Sequence, residues 1–172
     1  TVPAAQGKMR FWRNTSIATL APGATATLPA GTLGYEWDED LDNGSRPPGL
    51  INLSSTTRSI SGNLLQDYGS TYGSGSATHR LTLYRAPSRA LVFGAGTVQW
   101  SWGLDGQHDL GFTTPDPALR QATVNLLADM GVQPGSLQPG LVLGAASIDA
   151  TPAASTIGGP TSGLSVGAFS TV

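Results

Sequence analysis

Five of the eleven carboxylates of this 172-residue chain lie in one segment, GYEWDEDLDNG, between Gly34 and Gly44. Charged residues make up only 12% of the chain, so this acidic segment is its main concentration of charge. Placing like charges together costs electrostatic energy unless cations, basic side chains or backbone amides offset it. Carboxylates in such a cluster can bind a cation or take part in proton transfer, and chemistry is expected here first.

The aspartates of the segment suggest a calcium site. Asp38, Asp40 and Asp42 alternate as in the first half of a calcium loop, and their oxygens are the hard donors that calcium prefers. The EF-hand pattern breaks after them, because Asn43 stands where it has glycine and Gly49 stands in place of its final glutamate. Two interpretations stay open: a calcium site of another type that stiffens the domain, and a solvated acidic turn with local Asx hydrogen bonds.

Glu36 differs from the other acidic residues because it lies between Tyr35 and Trp37. A short strand is predicted from Thr32 to Asp38, and it brings Glu36 to the strand end. A carboxylate flanked by aromatic residues at such a position suits a metal ligand or a catalytic group. The alternative is that the aromatic pair covers the rim of the core while Glu36 lies in water.

Two tryptophans, Trp100 and Trp102, alternate in VQWSWGLD, and on an extended strand both would project from one face. Such indoles can stack on a sugar ring or wall a pocket, with Tyr35 and Trp37 as further substrate-binding candidates. The alternative is that the pair belongs to the core.

Asp105 and His108 follow the tryptophans in the glycine-flanked loop LDGQHDLG. His108 could act as a general base or a ligand, and Asp105 could assist proton transfer. No spaced partner completes a metal motif around His108, so a surface residue that makes ordinary hydrogen bonds is the alternative.

A helix is predicted over residues 117 to 130, with Asp116 as its N-cap, Pro117 in its first turn and Gly131 at its end. The three- and four-residue spacing of its apolar positions predicts one stripe that lies on the core. The residues of this stripe are Leu119, Ala122, Leu126, Leu127 and Met130.

Strands are predicted at 49 to 54, 79 to 86 and 90 to 96, and the last, an unbroken apolar run, is expected to be buried on both faces. Residues 87 to 89 are short enough to join the second and third strands as a hairpin. Segment 62 to 78 is rich in Gly and Ser and predicts a mobile loop. The core is expected between these strands, near Ile51, Leu81–Tyr84 and Leu91–Phe93, and the helix.

Composition excludes several classes of partner and chemistry. The net charge is −2 and the nine Lys and Arg residues are scattered, so nucleic acid is not expected as a partner. No apolar run approaches ~20 residues, so no membrane span is expected. The absence of cysteine excludes disulfides and a thiolate nucleophile. The chain begins TVPAAQG without Met and is expected to be a piece of a longer protein.

Four blocks of the chain together resemble the C-terminal portion of the N,N-dimethylformamidase large-subunit-like domain: FWRNTSIATL, YEWDEDLDNG, LTLYRAPSRALVFGAGTVQWSWGLD and ALRQATVNLLADMGV. That domain is similar in fold to class I glutamine amidotransferases. The resemblance therefore implies an α/β fold for residues 1–132, with a layered mixed sheet and few helices. It also implies a secreted or cell-surface bacterial protein, in which residues 133–172 are a linker and the start of an immunoglobulin-like module.

The resemblance implies a function as well. In the amidase a single iron is held by tyrosines and a glutamate, and Glu36 is the residue matched to that glutamate, while the ligand tyrosines would lie upstream of Thr1. The expected function is metal-assisted hydrolysis of a C–N bond, with Asp105 or His108 assisting proton transfer. A non-catalytic carbohydrate-binding module and a calcium-stabilised structural domain are the alternatives. The expected partners are the upstream part of the domain, the downstream module and a second copy paired through exposed strand edges.

Overall fold

The computed structural model describes residues 1–145, apart from the side chain of Tyr68. Its strands and helices, in chain order, are β1 (Val2–Pro3), α1 (Ala4–Gly7), β2 (Thr25–Ala26), β3 (Ile51–Asn52), β4 (Thr56–Gln66), β5 (Thr71–His79), β6 (Thr82–Arg85), β7 (Leu91–Gly94) and α2 (Pro117–Asp129). This combination of strands with few helices confirms the expected α/β class. The amidotransferase-like arrangement stays a prediction.

The strands form three small antiparallel sheets within residues 1–145: β1 with β2, β3 with β6 and β7, and β4 with β5. The predicted hairpin between β6 and β7 is confirmed, with Leu83 opposite Phe93. Its turn is closed by the Ala86 N–H, which donates to the carbonyl oxygen of Ala90 at 2.9 Å. The short Ile51–Asn52 strand extends this sheet through Leu83, as the apolar GLINLS segment predicts.

Helix α2 confirms the helix predicted from the sequence and ends one residue earlier, at Asp129. The Asp116 carboxylate accepts a hydrogen bond from the Leu119 N–H at 3.0 Å, which satisfies one of the donors left free at a helix start. Gly131 follows the last turn with φ of +84°, a conformation that glycine adopts without a side-chain penalty.

The core combines the three-stranded sheet, helix α2 and the N-terminal residues. Trp12, Leu53, Leu81 and Leu119 are all at most 2% exposed and belong to one apolar cluster. The Trp12 indole N–H donates to the carbonyl oxygen of Leu53 at 2.8 Å, so burial leaves no unpaired donor on the ring. The predicted core lacked the N-terminal half of this cluster.

Segment 62 to 78 is not a loop, and the prediction of a mobile segment is wrong. Most of it forms the long hairpin of β4 and β5, whose ladder carries a bulge between Ile60 and Leu64. Two glycines make the pairing fit: a Cβ on Gly75 would lie 2.7 Å from Leu64 Cδ2, and one on Gly73 would lie 2.6 Å from Gln66 Oε1. Glycines in this segment therefore make room for cross-strand side chains.

Three burial predictions are also wrong. Strand β7 is not buried on both faces, because Val92 is 37% exposed, and in the helix Leu127 and Met130 are exposed. Ile51 is exposed too, whereas Leu53 is fully buried. The sheet that contains β7 has one covered face, so alternate positions such as Val92 face solvent, and Leu127 and Met130 lie on the outer side of the helix.

Helix α2 is fastened to the N-terminal segment by polar contacts. Asn125 is 0% exposed, and its side-chain N–H groups donate to the carbonyl oxygens of Phe11 and Arg13 at 3.0 and 2.6 Å. The Asp129 carboxylate accepts hydrogen bonds from the guanidinium groups of Arg10 and Arg13 at 2.9 to 3.1 Å. These contacts fix the helix on residues 10–13.

The residues that follow helix α2 pack back against it. The Val142 N–H donates to the Gln121 side-chain oxygen at 2.9 Å, and Gly144 is buried beside Ala128. The predicted division at residue 132 into a domain and a linker with a following module stays a prediction, since residues 146–172 lie outside the described residues. Among residues 1–145 no helix has the length and apolarity to cross a membrane.

Candidate functional site

The acidic segment lies along an edge formed by residues 96–98. Trp37 and Thr97 form an isolated antiparallel bridge, the Val98 N–H donates to the Glu36 carbonyl oxygen at 3.2 Å, and the Asp38 N–H donates to the Gly96 carbonyl oxygen at 2.9 Å. The predicted strand from Thr32 to Asp38 is therefore wrong in its length. Its first half is held by a turn and a side chain: the Gly34 N–H donates to Thr97 Oγ1 at 2.9 Å.

Along this edge the side chains of Glu36 and Trp37 point in different directions. The Trp37 ring turns inward and lies edge-on to the His79 ring, with centroids 6.1 Å apart. Glu36 and Tyr35 are exposed, and Tyr35 is 75% exposed. No described residue donates a hydrogen bond to the Glu36 carboxylate. The backbone of Glu36 is thus held in place while its carboxylate projects into solvent. This position fits a residue at the rim of the core, and it also leaves the carboxylate available as a ligand.

The three aspartates of the acidic segment differ in exposure. Asp38 and Asp42 are exposed, whereas the Asp40 side chain is only 7% exposed. Both Asp40 carboxylate oxygens accept hydrogen bonds from the Arg46 guanidinium, at 2.8 and 2.9 Å, and this pairing lowers the pKa of Asp40 below its usual value. A calcium ion bound by Asp40 would have to displace Arg46. The calcium interpretation stays a prediction.

The other interpretation of this segment was a turn with local Asx bonds, and one such bond is present. The Asn43 side-chain oxygen accepts a hydrogen bond from the Ser45 N–H at 3.0 Å. Within residues 1–145 no three His, Asp or Glu side chains are grouped closely enough to hold a metal ion. The described residues therefore supply Glu36 as a candidate ligand without a complete metal site around it.

Trp100 and Trp102 do not lie on a strand, so the prediction that both project from one strand face is wrong. They belong to a 3-10 helix, Trp100–Gly103, in which residues two apart point in different directions. Trp100 packs against Phe93 with ring centroids 5.5 Å apart, and Trp102 stacks on His108 at 4.0 Å. Both indoles are half-buried. Sugar binding by these rings with Tyr35 and Trp37 stays a prediction.

The loop that carries Asp105 and His108 is held by its own hydrogen bonds. His108 Nε2 lies 2.9 Å from Thr113 Oγ1, and Nδ1 lies 2.7 Å from the Asp109 carbonyl oxygen. The Asp105 carboxylate accepts from the Gln107 N–H at 2.8 Å. No hydrogen bond within the described part joins either residue to Glu36, so their roles in proton transfer stay predictions.

His79 is a buried polar residue that is not among the candidates predicted from the sequence. It is 5% exposed, and its Nε2 lies 2.8 Å from the carbonyl oxygen of Ala95. A carbonyl only accepts, so Nε2 carries the hydrogen. Burial lowers the pKa of His79 below its usual value. The signal was present in the sequence, because Ala77, His79 and Leu81 alternate, and all three are buried.

Acid is expected to weaken the fold through His79. The unfolded ring takes up a proton near pH 6.5, whereas burial lowers the pKa of the folded ring. The unfolded state therefore binds more protons below pH 6.5, and stability falls as the pH drops from 6.5 through the folded pKa. The Asp38 carboxylate favours the protonated ring, but burial is the larger effect.

Urea unfolding at several pH values between 5 and 8 measures this slope. His79→Gln should flatten this slope. An equal slope in wild type and His79→Gln would show that this histidine does not cause the acid sensitivity.

The comparison with family models confirms the family resemblance carried by the sequence blocks. The chain belongs to the family described as N,N-dimethylformamidase beta subunit-like, C-terminal, whose model matches residues 1–113. The match includes the acidic segment, His79 and the loop with His108, and it ends before helix α2. No curated protein and no solved structure matches the chain.

Proposed function

We propose that this chain forms the C-terminal part of an amidase-like domain that hydrolyses a C–N bond, and that Glu36 is the functional carboxylate it contributes. Membership of the dimethylformamidase-like family supports the reaction class. The observation that carries the assignment to Glu36 is its position, because the carboxylate is exposed and free of partners among the described residues while its backbone is fixed.

A ligand or catalytic carboxylate is most useful on a rigid backbone, because rigidity reduces the entropy lost when the site is assembled. Glu36 meets this condition, since its carbonyl oxygen accepts a hydrogen bond from the Val98 N–H and the Asp38 N–H, two residues on, donates to the Gly96 carbonyl oxygen. Asp40 is less available, because the Arg46 guanidinium already donates to both of its carboxylate oxygens. Asp38 lies on the same edge as Glu36 and is also exposed, which makes it a matched control.

The site is not complete within residues 1–145. Glu36 is not grouped there with two further His, Asp or Glu residues that could hold a metal ion with it. In this proposal Glu36 is a metal ligand, and the other ligands come from another part of the domain or from a second chain. Asp105 and His108 remain candidates for proton transfer, although His108 would have to release a hydrogen bond to Thr113 or Asp109 in order to use a ring nitrogen.

The proposed reaction is amide hydrolysis. Oxygen from water adds to the carbonyl carbon, the C–N bond breaks, and the amine leaves with a proton. N,N-dimethylformamide is the first substrate to test, because it is the compound in the family's description.

Kinetics of the intact protein test the proposal. Glu36→Gln is expected to reduce kcat/KM on N,N-dimethylformamide by at least about 100-fold, since it removes the charge and keeps the side-chain size. Asp38→Asn makes the same chemical change two residues away and should alter kcat/KM by less than about twofold. Equal effects of the two substitutions would remove Glu36 from the site. No hydrolysis of N,N-dimethylformamide, formamide or acetamide by the wild type would overturn the amidase assignment.

A further inference from the structure

A cavity of about 350 Å³ lies between residues 27–33 and the base of the long hairpin β4–β5. Leu28, Leu81 and Trp100 line its apolar side. Its volume falls at the lower end of the ~300–1,000 Å³ found for small-molecule sites. A small, partly apolar molecule would fit it.

The polar side of the cavity has a positive charge and no negative one. Arg58 is the only permanently charged side chain among the described lining residues, and none of these residues is Asp or Glu. The Arg58 guanidinium forms no hydrogen bond or ion pair with a described residue. A planar guanidinium without a protein partner is suited to bind a carboxylate through two parallel hydrogen bonds.

His79 provides an acceptor in the same cavity. Its Nε2–H donates to the Ala95 carbonyl oxygen, and Nε2 and Cδ2 also lie nearest to Gly96. Nδ1 of the neutral ring therefore bears a lone pair, and it has no partner among the described residues. This nitrogen can accept a hydrogen bond from an N–H group.

We propose that this cavity binds a small carboxylate that has an apolar body and an N–H group. The carboxylate pairs with Arg58, the N–H donates to His79 Nδ1, and the apolar body lies against Leu81 and Trp100. The site is separate from the proposed hydrolytic site, because Glu36 is not among the lining residues and projects away from the inward-facing Trp37.

Hippurate, which joins an apolar ring, an amide N–H and a carboxylate, is the probe for this site. Isothermal titration of the intact protein with hippurate should show binding with a Kd of about 1 mM or tighter. Hippuramide has the same ring and linking amide but no carboxylate, and it should bind at least tenfold more weakly.

Two arginine substitutions, each of which removes one positive charge, test whether hippurate binds at Arg58. Arg58→Gln should weaken hippurate binding at least tenfold and bring it to the level of hippuramide, whereas Arg89→Gln, at an exposed turn, should leave the Kd unchanged. Glu36→Gln should also bind hippurate as the wild type does, which separates this result from any failure of the hydrolytic assignment. No hippurate binding at concentrations up to about 10 mM, or the same Kd in Arg58→Gln and wild type, would overturn the proposal.

Discussion

Replacement of Asn125 by Asp is expected to lower the free energy of unfolding by about 3 kcal/mol. The side chain is 0% exposed, and its N–H groups donate to the carbonyl oxygens of Phe11 and Arg13 while its oxygen accepts from Gln121. Aspartate has nearly the same shape but presents oxygen atoms where two carbonyls need donors. The substitution therefore tests the hydrogen bonds without opening a cavity.

Asn63→Asp provides the control, since Asn63 is exposed on strand β4 and undergoes the same chemical change. It should change the free energy of unfolding by less than about 0.5 kcal/mol. Urea unfolding of both variants near pH 7 gives the comparison. Equal losses would show that the contacts of Asn125 do not hold the helix on the N-terminal segment.

The second large effect is expected at Trp12, where substitution by Ala should cost about 4 kcal/mol. The ring is 0% exposed, packs edge-on against Phe11 with centroids 4.8 Å apart, and donates to the Leu53 carbonyl oxygen. Its loss opens a cavity at the junction of the sheet and the helix and leaves a buried carbonyl without its donor. Such a loss is a large part of the 5–15 kcal/mol that stabilises a typical domain.

Trp102→Ala is the matched change at a half-buried indole, which stacks on His108 in a loop-held 3-10 helix. It should cost about 1 kcal/mol in the same thermal or urea unfolding assay. If Trp12→Ala were no more damaging than Trp102→Ala, the N-terminal segment would not be part of the core.

The elements with strong local signals were predictable from the sequence. Helix α2 has a cap at Asp116, a proline in its first turn and a glycine after its end, and each of these acts within a few residues. The β6–β7 hairpin has a three-residue link, 87 to 89, between an alternating segment and an apolar run, which also leaves few alternatives. Local chemistry decided these elements.

The remaining elements depend on contacts far apart along the chain. The β4–β5 hairpin looks like a flexible Gly/Ser segment until Gly73 and Gly75 are placed opposite Leu64 and Ile60 on the partner strand. The burial of Trp12 depends on Leu53, forty-one positions later. Neither pairing leaves a periodic pattern in a short window of sequence.

The candidate site was predictable only in part, because some of its contacts also join residues far apart along the chain. The density of charge indicated the acidic segment. The sequence did not indicate that the Arg46 guanidinium would pair with the Asp40 carboxylate while Glu36 stays exposed to solvent. His79 is not among the candidate residues predicted from the sequence. Its alternation with buried Ala77 and Leu81 would have placed it inside, beside the cavity.

The central claim, that Glu36 is the carboxylate this chain contributes to a functional site, is tested most directly by metal analysis of the intact protein. We expect the wild type to retain a bound metal ion, with iron the first to measure, and Glu36→Ala to lower the metal content at least about tenfold at equal protein concentration. Asp38→Ala, on the same exposed edge, should retain the wild-type content. A wild-type protein without metal, or a Glu36→Ala variant with unchanged metal content, would contradict the assignment.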